Sequence, residues 1–339
     1  MNGKQTVMVT GGTGLVGSHL MLHMLRKGYR IKALKRPSSN LGRVLQTFAL
    51  YARDAETLFR DVEWIDADLF DFADLSDMAA GCRCAYHAAA VVSFHAGSRR
   101  EMLRTNIEGT ANMVNVCLEK QIPLCFVSSI GALGRGDCRR PVTENTSWQT
   151  SKNRSVYACS KYGSEMEVWR GIAEGLQAVI VNPSVILGAG DWGKGSSSFF
   201  PEIHRGMKFY TSGVTAFVDV RDVVRCMVQL MEEKHYGERF ILSAGELSYR
   251  ELFRQIAAGL HVAEPAFQAR PWMLRIACCG AWMAARITGK PPVLTKETVQ
   301  SAFRRNFYSN RKITETLSFT FTPLQQTIAD CCRYFLQSL

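Results

Sequence analysis

The sequence has no long apolar run and no recognisable export signal. Its first residues are polar and lead directly into a glycine-rich stretch, so we expect no secretory leader. The nearest candidate for a membrane span, residues 276–285, lies between two arginines and is shorter than the roughly 18 apolar residues that a span needs. We expect a cytoplasmic protein without a membrane span. Residues 272–287 could lie on a membrane surface, but we expect them to pack over a substrate pocket.

Proline is scarce, and the cysteines lack the spacing of a metal site. With 10 prolines in 339 residues and 27 glycines, collagen-like and low-complexity chains are excluded. The 11 cysteines include no Cys-x-x-Cys pair, so we predict no metal site. Without an export signal they indicate a reducing compartment, where cysteines pack as small apolar side chains.

Acidic residues are outnumbered, and the formal net charge is +11. The lysines and arginines are dispersed in pairs and are accompanied by no nucleic-acid-binding motif. A basic balance without such a motif favours an anionic small molecule over nucleic acid. We therefore expect a small-molecule substrate and no nucleic-acid partner.

The first half of the chain alternates apolar runs with longer helical patterns. Strands are predicted at residues 6–10, 29–35, 62–67, 84–89, 124–128 and 177–187, and helices at 15–27, 75–80, 99–120 and 156–174. This alternation is typical of a parallel sheet with right-handed crossovers. We predict an α/β fold with a Rossmann-type, doubly wound parallel sheet at residues 1–188, completed by about residues 217–243. A smaller, mostly helical and discontinuous substrate-binding portion takes residues 189–339.

A glycine triplet lies between the first strand and the first helix. Gly11 permits a tight turn, Gly14 lets a pyrophosphate approach the backbone, and Gly17 allows the helix to pack closely on the sheet. The phosphates then lie at the positive end of the helix. A tight turn without a ligand is the alternative, but in this context we predict a dinucleotide site.

The second strand ends in cations rather than in an acid. NAD sites place a carboxylate there for the ribose hydroxyls, whereas a basic residue accommodates the 2′-phosphate of NADP. Here the strand ends with Lys35 and Arg36. We predict NADP as the cofactor and NAD as the less favoured alternative, although both cations could simply be solvated.

A Tyr-x-x-x-Lys motif supplies a candidate acid–base pair. Tyr157 and Lys161 lie four residues apart in a predicted helix, so they share one face. The ammonium is expected to lower the pKa of the phenol, which could then exchange a proton with a carbonyl or alcohol oxygen. Tyr308 and Lys312 match the same pattern in the C-terminal, predicted helical part, and we interpret Tyr308 as structural.

Ser129 follows a predicted central strand and completes the candidate site. A hydroxyl at the carboxyl end of a parallel strand points into the crevice where such sheets bind ligands. It could hold the substrate oxygen beside Tyr157. If the strand register differs by one residue, Ser128 takes this role instead. The non-functional alternative is that Ser129 is an ordinary serine at the end of a strand.

Together these motifs resemble the extended short-chain dehydrogenases/reductases, also described as the NAD-dependent epimerase/dehydratase family. The chain looks most like the dihydroflavonol reductase and 3β-hydroxysteroid dehydrogenase branch. The resemblance covers almost the whole chain and rests on Thr10 to Gly17, Asp68-Leu69, His87-Ala88-Ala89, Asn106 with Gly109-Thr110, Ser128-Ser129, Tyr157 to Lys161, Asn182-Pro183-Ser184 to Gly188, residues 217–223, and residues 289–292 and 323–324.

The resemblance implies roles for individual residues. Ser129, Tyr157 and Lys161 act together, Lys161 also holds the nicotinamide ribose, and Asn106 belongs to a proton relay unless it is an ordinary polar residue of the helix surface. The implied cofactor-binding residues are Gly11, Thr13, Gly14, Leu15, Val16, Gly17, Lys35, Arg36, Asp68, Leu69, Ala88, Ala89, Ala90, Tyr157, Lys161, Pro183, Ile186 and Ser198. The family also implies a homodimer formed through residues 99–120 and 156–174.

Two further features have a simple structural interpretation. His87 ends a buried strand and is expected to be a core histidine rather than a catalytic one. Aromatic residues in the loops at 91–97, 190–201 and 207–214 suggest a hydrophobic or aromatic substrate, but such clusters are as often core: Phe94, Trp192, Phe199, Phe200, Phe209 and Tyr210.

We therefore predict an NADP(H)-dependent oxidoreductase that interconverts a carbonyl and a secondary alcohol by a Ser-Tyr-Lys mechanism. One alternative is a nucleotide-sugar epimerase with tightly held NAD. A dehydratase is disfavoured because no acidic pair follows Ser129. An alternative of another class is a non-catalytic sensor of nicotinamide nucleotides.

Overall fold

The structure, a computed structural model, describes residues 5–92, 98–134, 136, 139–151, 154–274, 276, 299 and 301–339. Its strands are β1 (Thr6–Thr10), β2 (Arg30–Lys35), β3 (Val62–Asp66), β4 (Cys84–His87), β5 (Leu124–Val127), β6 (Ala178–Pro183), β7 (Val185–Leu187), β8 (Phe209–Tyr210), β9 (Val214–Asp219), β10 (Glu238–Leu242), β11 (Gly245–Ser248) and β12 (Phe267–Gln268). Its α-helices are α1 (Leu15–Arg26), α2 (Gly42–Tyr51), α3 (Ala55–Arg60), α4 (Phe72–Ala79), α5 (Arg99–Lys120), α6 (Val156–Ala173), α7 (Phe199–His204), α8 (Val220–Glu232), α9 (Tyr249–Gly259), α10 (Arg311–Leu317) and α11 (Leu324–Gln337).

A seven-stranded sheet in the order β10-β6-β5-β4-β1-β2-β3 forms the centre of the fold. Every neighbouring pair in it is parallel. β4, β5 and β6 are buried along their whole length, which explains why their sequences read as continuous apolar runs. The strand order reverses between β1 and β4, so a crevice for ligands opens there. The predicted α/β, Rossmann-type sheet is confirmed.

Helices cover both faces of this sheet through separate apolar cores. On one face, Leu20 and Met24 of α1 pack with Met227 of α8 against the strands. On the other face, Met113 of α5 and Val168 of α6 belong to a second core. The predicted return of the chain to the sheet at residues 239–242 is confirmed, because β10 pairs with β6.

The C-terminal part contains more strand than we predicted. β7, β9 and β11 form a separate three-stranded sheet, and its core continues into α9 and α11 through Leu252, Ile256 and Phe335. The single strand predicted at residues 177–187 is wrong, since the chain leaves the central sheet after Pro183 and β7 pairs with β9. Proline has no amide hydrogen to continue a ladder.

Two helices, α2 and α3, lie between β2 and β3, where we predicted none. Phe48 of α2 is fully buried and Val44 is 1% exposed, so this connection belongs to the core around α1. Tyr308 lies in extended backbone bridged to Val142 rather than in a predicted helix. Of the helices in the ranges given above, none combines the length and apolar character that spanning a bilayer requires.

Most of the segment 272–287 lies outside the described residues, as do Phe94 and residues 289–292. Trp272 and Ile276 are described and are 58% and 64% exposed. The cysteines within the described ranges are free thiols, and all of these are buried except Cys159, which is exposed on α6. The prediction of small buried residues is therefore wrong for Cys159.

Candidate active site

The turn between β1 and α1 presses two of the predicted glycines against neighbouring backbone. Gly11 has a φ of +73°, and a Cβ there would lie 2.5 Å from the amide nitrogen of Ala89. A Cβ on Gly17 would lie 2.1 Å from the carbonyl oxygen of Gly11. Because no side chain fits at either position, packing alone requires both glycines.

Gly14 is less crowded than Gly11 and Gly17. Among the described residues, a Cβ on Gly14 would come near the Gly11 carbonyl oxygen, at 3.3 Å. No side chain caps the start of α1, and its first turn carries no acid. The amides of Leu15, Val16 and Gly17 precede the first intrahelical bond, from Ser18 to Gly14. Exposed residues at 13 and 14 beside these amides fit the pyrophosphate of a dinucleotide.

The cations at the end of β2 have different surroundings. The Lys35 ammonium is paired with the carboxylate of Asp66, its register neighbour on β3. We predicted no acid at the end of β2, because Asp66 belongs to a different strand, β3. Arg36 is exposed, and within the described ranges its guanidinium has no hydrogen-bond or ion-pair partner. Of the two cations, Arg36 is the better placed for a ribose phosphate.

Asp68 and Leu69 follow β3 at the same edge of the sheet. Asp68 is exposed, and its Oδ1 accepts a hydrogen bond from the Phe70 amide at 3.1 Å. Leu69 is 8% exposed, and its carbonyl accepts from Asn112 Nδ2 at 2.8 Å. Both residues lie beyond the carboxyl end of β3, and their assignment to the cofactor stays a prediction.

Asn106 ties the segment after β4 to α6. Its Oδ1 accepts from the Val91 amide at 2.7 Å, and its Nδ2 donates to the Val91 carbonyl at 3.0 Å. The same Nδ2 donates to Ser160 Oγ at 3.0 Å. The side chain, 2% exposed, therefore fixes the segment that carries Ala88, Ala89 and Ala90. A residue this buried is not an ordinary polar residue of the helix surface, so that alternative is wrong, and the role of Asn106 in a proton relay stays a prediction.

Ser129 and Tyr157 meet above the end of β5. Ser155 caps α6 by accepting from the Ala158 amide, so the helix begins with Tyr157 in its first turn. A side-chain hydrogen bond joins Tyr157 to Ser129, whose Oγ also accepts from the Gly131 amide at 3.0 Å. Ser128 points elsewhere, since its Oγ donates to Glu165 at 2.6 Å. The geometry therefore favours Ser129 over Ser128.

Lys161 lies one turn further along α6 and is 2% exposed. Its Nζ donates to the Val127 carbonyl at 2.6 Å and lies 4.7 Å from the centre of the Phe126 ring. Burial lowers the pKa of Lys161 from 10.5 to about 8, while the charge of Glu165 raises it.

The phenol of Tyr157 is less acidic here than we expected. Burial raises its pKa above the ordinary value of 10.0, and the hydrogen bond with Ser129 partly opposes this effect. The ammonium of Lys161 is turned toward the Val127 carbonyl. The expectation that Lys161 makes this phenol acidic is therefore wrong for this arrangement, and Tyr157 is protonated at neutral pH.

The end of β6 and the start of β7 carry Pro183 and Ile186, two of the cofactor-binding residues that the resemblance implies. Pro183 is buried and Ile186 is half-buried. Between them, Ser184 Oγ is buried without a partner among the described residues. An unsatisfied polar atom at this place fits an amide-bearing ligand. Ser198 lies further away in sequence, and its Oγ donates to the Gly195 carbonyl at 2.8 Å.

His87 is structural, as predicted. It is 1% exposed, and burial lowers its pKa to about 3. Its Nδ1 lies 2.6 Å from Thr10 Oγ1, and its Nε2 lies 3.1 Å from Thr110 Oγ1. Because Thr110 donates its own hydroxyl to the Asn106 carbonyl, we assign the proton of the neutral ring to Nε2.

Most of the aromatic residues considered as substrate contacts belong to the C-terminal core. Phe200 is fully buried, and Trp192 packs edge-on against it and against Phe335. Phe199 and Tyr210 also pack against this core. Phe209 is 46% exposed and pairs with exposed Phe267. These positions therefore give little support for an aromatic substrate.

A buried polar group that we did not predict lies behind Ser129 and Lys161. It consists of Glu165, Asn182 and Arg239, which hydrogen-bond one another through the Glu165 carboxylate. The spacing of Tyr157, Lys161 and Glu165 at every fourth position of one helix was a usable signal. Arg239 could not have been found, because it comes from β10.

The chain matches one protein-family model, and the relatives named here are reductases. The model of the NAD dependent epimerase/dehydratase family matches residues 7–242. A "Putative dihydroflavonol 4-reductase" of Synechocystis sp. is 27% identical over 338 residues, covering 96% of this chain and 93% of that protein. Cinnamoyl-CoA reductase 1 of Oryza sativa subsp. japonica is 27% identical over 264 residues, covering 75% of each.

Solved structures resemble the whole chain. The crystal structure of gox2253 has a TM-score of 0.80 and 27% sequence identity, with 99% of both chains covered. UDP-glucose 4-epimerase of Thermotoga maritima has a TM-score of 0.77 at 20% identity, covering 98% of this chain and 99% of that one. The second similarity shows the shared fold alone.

Proposed function

The chain belongs to the NAD-dependent epimerase/dehydratase family, and from this we propose that it is an NADP(H)-dependent oxidoreductase that interconverts a carbonyl and a secondary alcohol. Members of this family bind a nicotinamide dinucleotide. Two relatives carry the names of reductases, which supports the reductase class over the epimerase class. We assign the cofactor to residues 1–188, with the sheet completed by about 217–243, and the substrate to residues 189–339.

The observation that carries this proposal is the hydrogen bond between Ser129 and Tyr157 at the carboxyl edge of the sheet. A protonated phenol held by a serine hydroxyl can donate to the oxygen of a carbonyl while Ser129 orients that oxygen. The nicotinamide, when bound, supplies the hydride to carbon. Lys161 holds the nicotinamide ribose.

The remaining cofactor contacts follow from the positions described above. The uncapped start of α1 would hold the pyrophosphate, and Arg36 would hold the 2′-phosphate. Residues 68–69 would contact the adenine, and residues 88–90 would line the dinucleotide. Pro183 and Ile186 would flank the nicotinamide. We also predict a homodimer formed through α5 and α6. A cytoplasmic location is a further prediction.

The direct test is NADPH consumption by the purified protein with a panel of hydrophobic ketones and aldehydes. We expect exchangeable NADPH to be oxidised with at least one of them and the corresponding alcohol to form. NAD that stays bound through purification would support the epimerase instead. Binding of NADPH without oxidation of any carbonyl would support a sensor.

The preference for NADP is expected to depend on Arg36. Loss of a charged hydrogen bond to phosphate in Arg36→Gln should raise the Kd for NADPH by about 10- to 100-fold and leave that for NADH nearly unchanged. Fluorescence titration with both nucleotides measures this. Arg30→Gln is the matched control, because Arg30 is an exposed arginine at the opposite end of β2. Equal weakening of both nucleotides in Arg36→Gln would contradict the assignment.

A further inference from the structure

Glu165 is a fully buried carboxylate on the helix that carries Tyr157 and Lys161. It lies one helical turn beyond Lys161 and two beyond Tyr157, and its exposed fraction is 0%. Burial of a carboxylate is costly unless its oxygens are hydrogen-bonded and its charge is compensated. Glu165 therefore needs hydrogen-bond donors and a compensating positive charge inside the protein.

Donors from three strand ends and one helix converge on this carboxylate. Oε2 accepts from Ser128 Oγ at 2.6 Å and from Asn182 Nδ2 at 2.8 Å. Oε1 accepts from Arg239 Nη1 at 2.9 Å and, more weakly, from Trp169 Nε1 at 3.4 Å. Since every contact is a donor, the arrangement suits the ionised form.

The same group reaches the candidate catalytic residues. Asn182 Nδ2, already bonded to Glu165, also donates to the carbonyl oxygen of Ser129 at 3.0 Å. Ser128, the other donor to Oε2, immediately precedes Ser129 in the chain. The backbone that aims the Ser129 hydroxyl at Tyr157 is therefore fixed through the Glu165 carboxylate.

Glu165 is the carboxylate among the charged groups around Lys161, although its own ion pair is with Arg239 at 2.9 Å. Within the described ranges, the charged or titratable groups that face Lys161 are His87 from β4, Tyr157 and Glu165 from α6, and Arg239 from β10 behind Glu165. His87 and Tyr157 are neutral at pH 7, for the reasons given above. The contacts of Lys161 on β5 are the uncharged Phe126 ring and the Val127 carbonyl.

We propose that Glu165 is a positioning residue for the reaction: its carboxylate sustains the positive charge of Lys161 and fixes the backbone of Ser129. The role in the reaction rests on the proposed function. The effect on the charge of Lys161 does not, and it can be measured without substrate or cofactor.

The test follows the titration of Lys161 by NMR of its ¹³Cε group, assigned from the signal that disappears in Lys161→Met. Because a carboxylate favours the ammonium form, Glu165→Gln should move the Lys161 midpoint to lower pH by about one unit or more. Glu167→Gln is the matched control, since Glu167 lies on the same helix but at its surface, paired with Arg170. We expect its Lys161 midpoint to equal that of the wild type.

A wild-type midpoint in Glu165→Gln would overturn the proposal. If that variant does not fold, Arg239→Gln decides, because loss of the guanidinium removes the cation paired with the Glu165 carboxylate and should move the Lys161 midpoint to higher pH; an unchanged midpoint would overturn the proposal. In an active enzyme, the alkaline limb of kcat/KM should move with the Lys161 midpoint, lowering kcat/KM by about tenfold above it. A protein without carbonyl reduction would refute the proposed function and leave the NMR result valid.

Discussion

Substitution of Tyr157 by phenylalanine is expected to lower kcat by about three orders of magnitude, within the range for loss of a general acid. The change removes the hydroxyl that meets Ser129 and leaves the ring in place. The loss of one hydrogen bond should cost about 1 kcal/mol of stability. Binding of NADPH should remain within a few-fold of the wild type, because the glycine turn and Arg36 are untouched.

The matched control uses the second Tyr-x-x-x-Lys match. Tyr308 is half-buried and packs against a small cluster of Leu133, Val142 and Ile241, and desolvation raises its pKa to about 12. Tyr308→Phe should keep nearly full turnover. Single-turnover measurements with both variants separate chemistry from binding. Turnover retained in Tyr157→Phe, or lost equally in Tyr308→Phe, would refute the role of Tyr157.

Replacement of Lys161 by methionine is expected to remove activity without destabilising the fold. We expect kcat/KM to fall by about 100-fold or more, because the proposed function gives the ammonium the task of holding the nicotinamide ribose. The depression of the Lys161 pKa from 10.5 to about 8 corresponds to a cost of about 3 kcal/mol for burying the charge at pH 7. Methionine avoids that cost but leaves the Val127 carbonyl unpaired, at about 1–3 kcal/mol.

The pH dependence of stability gives the decisive measurement for this variant. Since the unfolded chain holds the Lys161 proton more tightly than the folded one, this group adds stability as pH rises from about 8 to 10.5, and the added stability is absent below pH 8. In urea unfolding, the free energy of unfolding of the variant relative to that of the wild type should therefore be higher at pH 7 than at high pH. Lys312→Met is the control, because Lys312 is half-buried and ion-paired with Glu238. A pH-independent difference would contradict the assignment.

The parts of the site that could be predicted from sequence are those set by local spacing. Gly11 and Gly17 lie six residues apart and meet in one turn. Tyr157 and Lys161 share a helix face by the period of the helix. Family resemblance and strand order then placed Ser129 beside them.

The parts that could not be predicted depend on elements distant in sequence. Asp66 neutralises part of the charge of Lys35 because β3 pairs with β2 in that register. The direction of the Lys161 ammonium depends on the end of β5, and the raised pKa of Tyr157 depends on burial by surrounding elements. Trp192 is a core residue because it packs on Phe200 and Phe335, and no local pattern shows that packing.

The clip made by Asn106 has a consequence for how such an enzyme can change its substrate. Through Val91 and Ser160, one amide group joins the segment proposed to line the dinucleotide to the helix that carries Tyr157, the proposed proton donor. If the proposed function holds, this clip would keep the two partners of the reaction in one mutual orientation. We would then expect differences in specificity to arise in the loops and helices that border the clip.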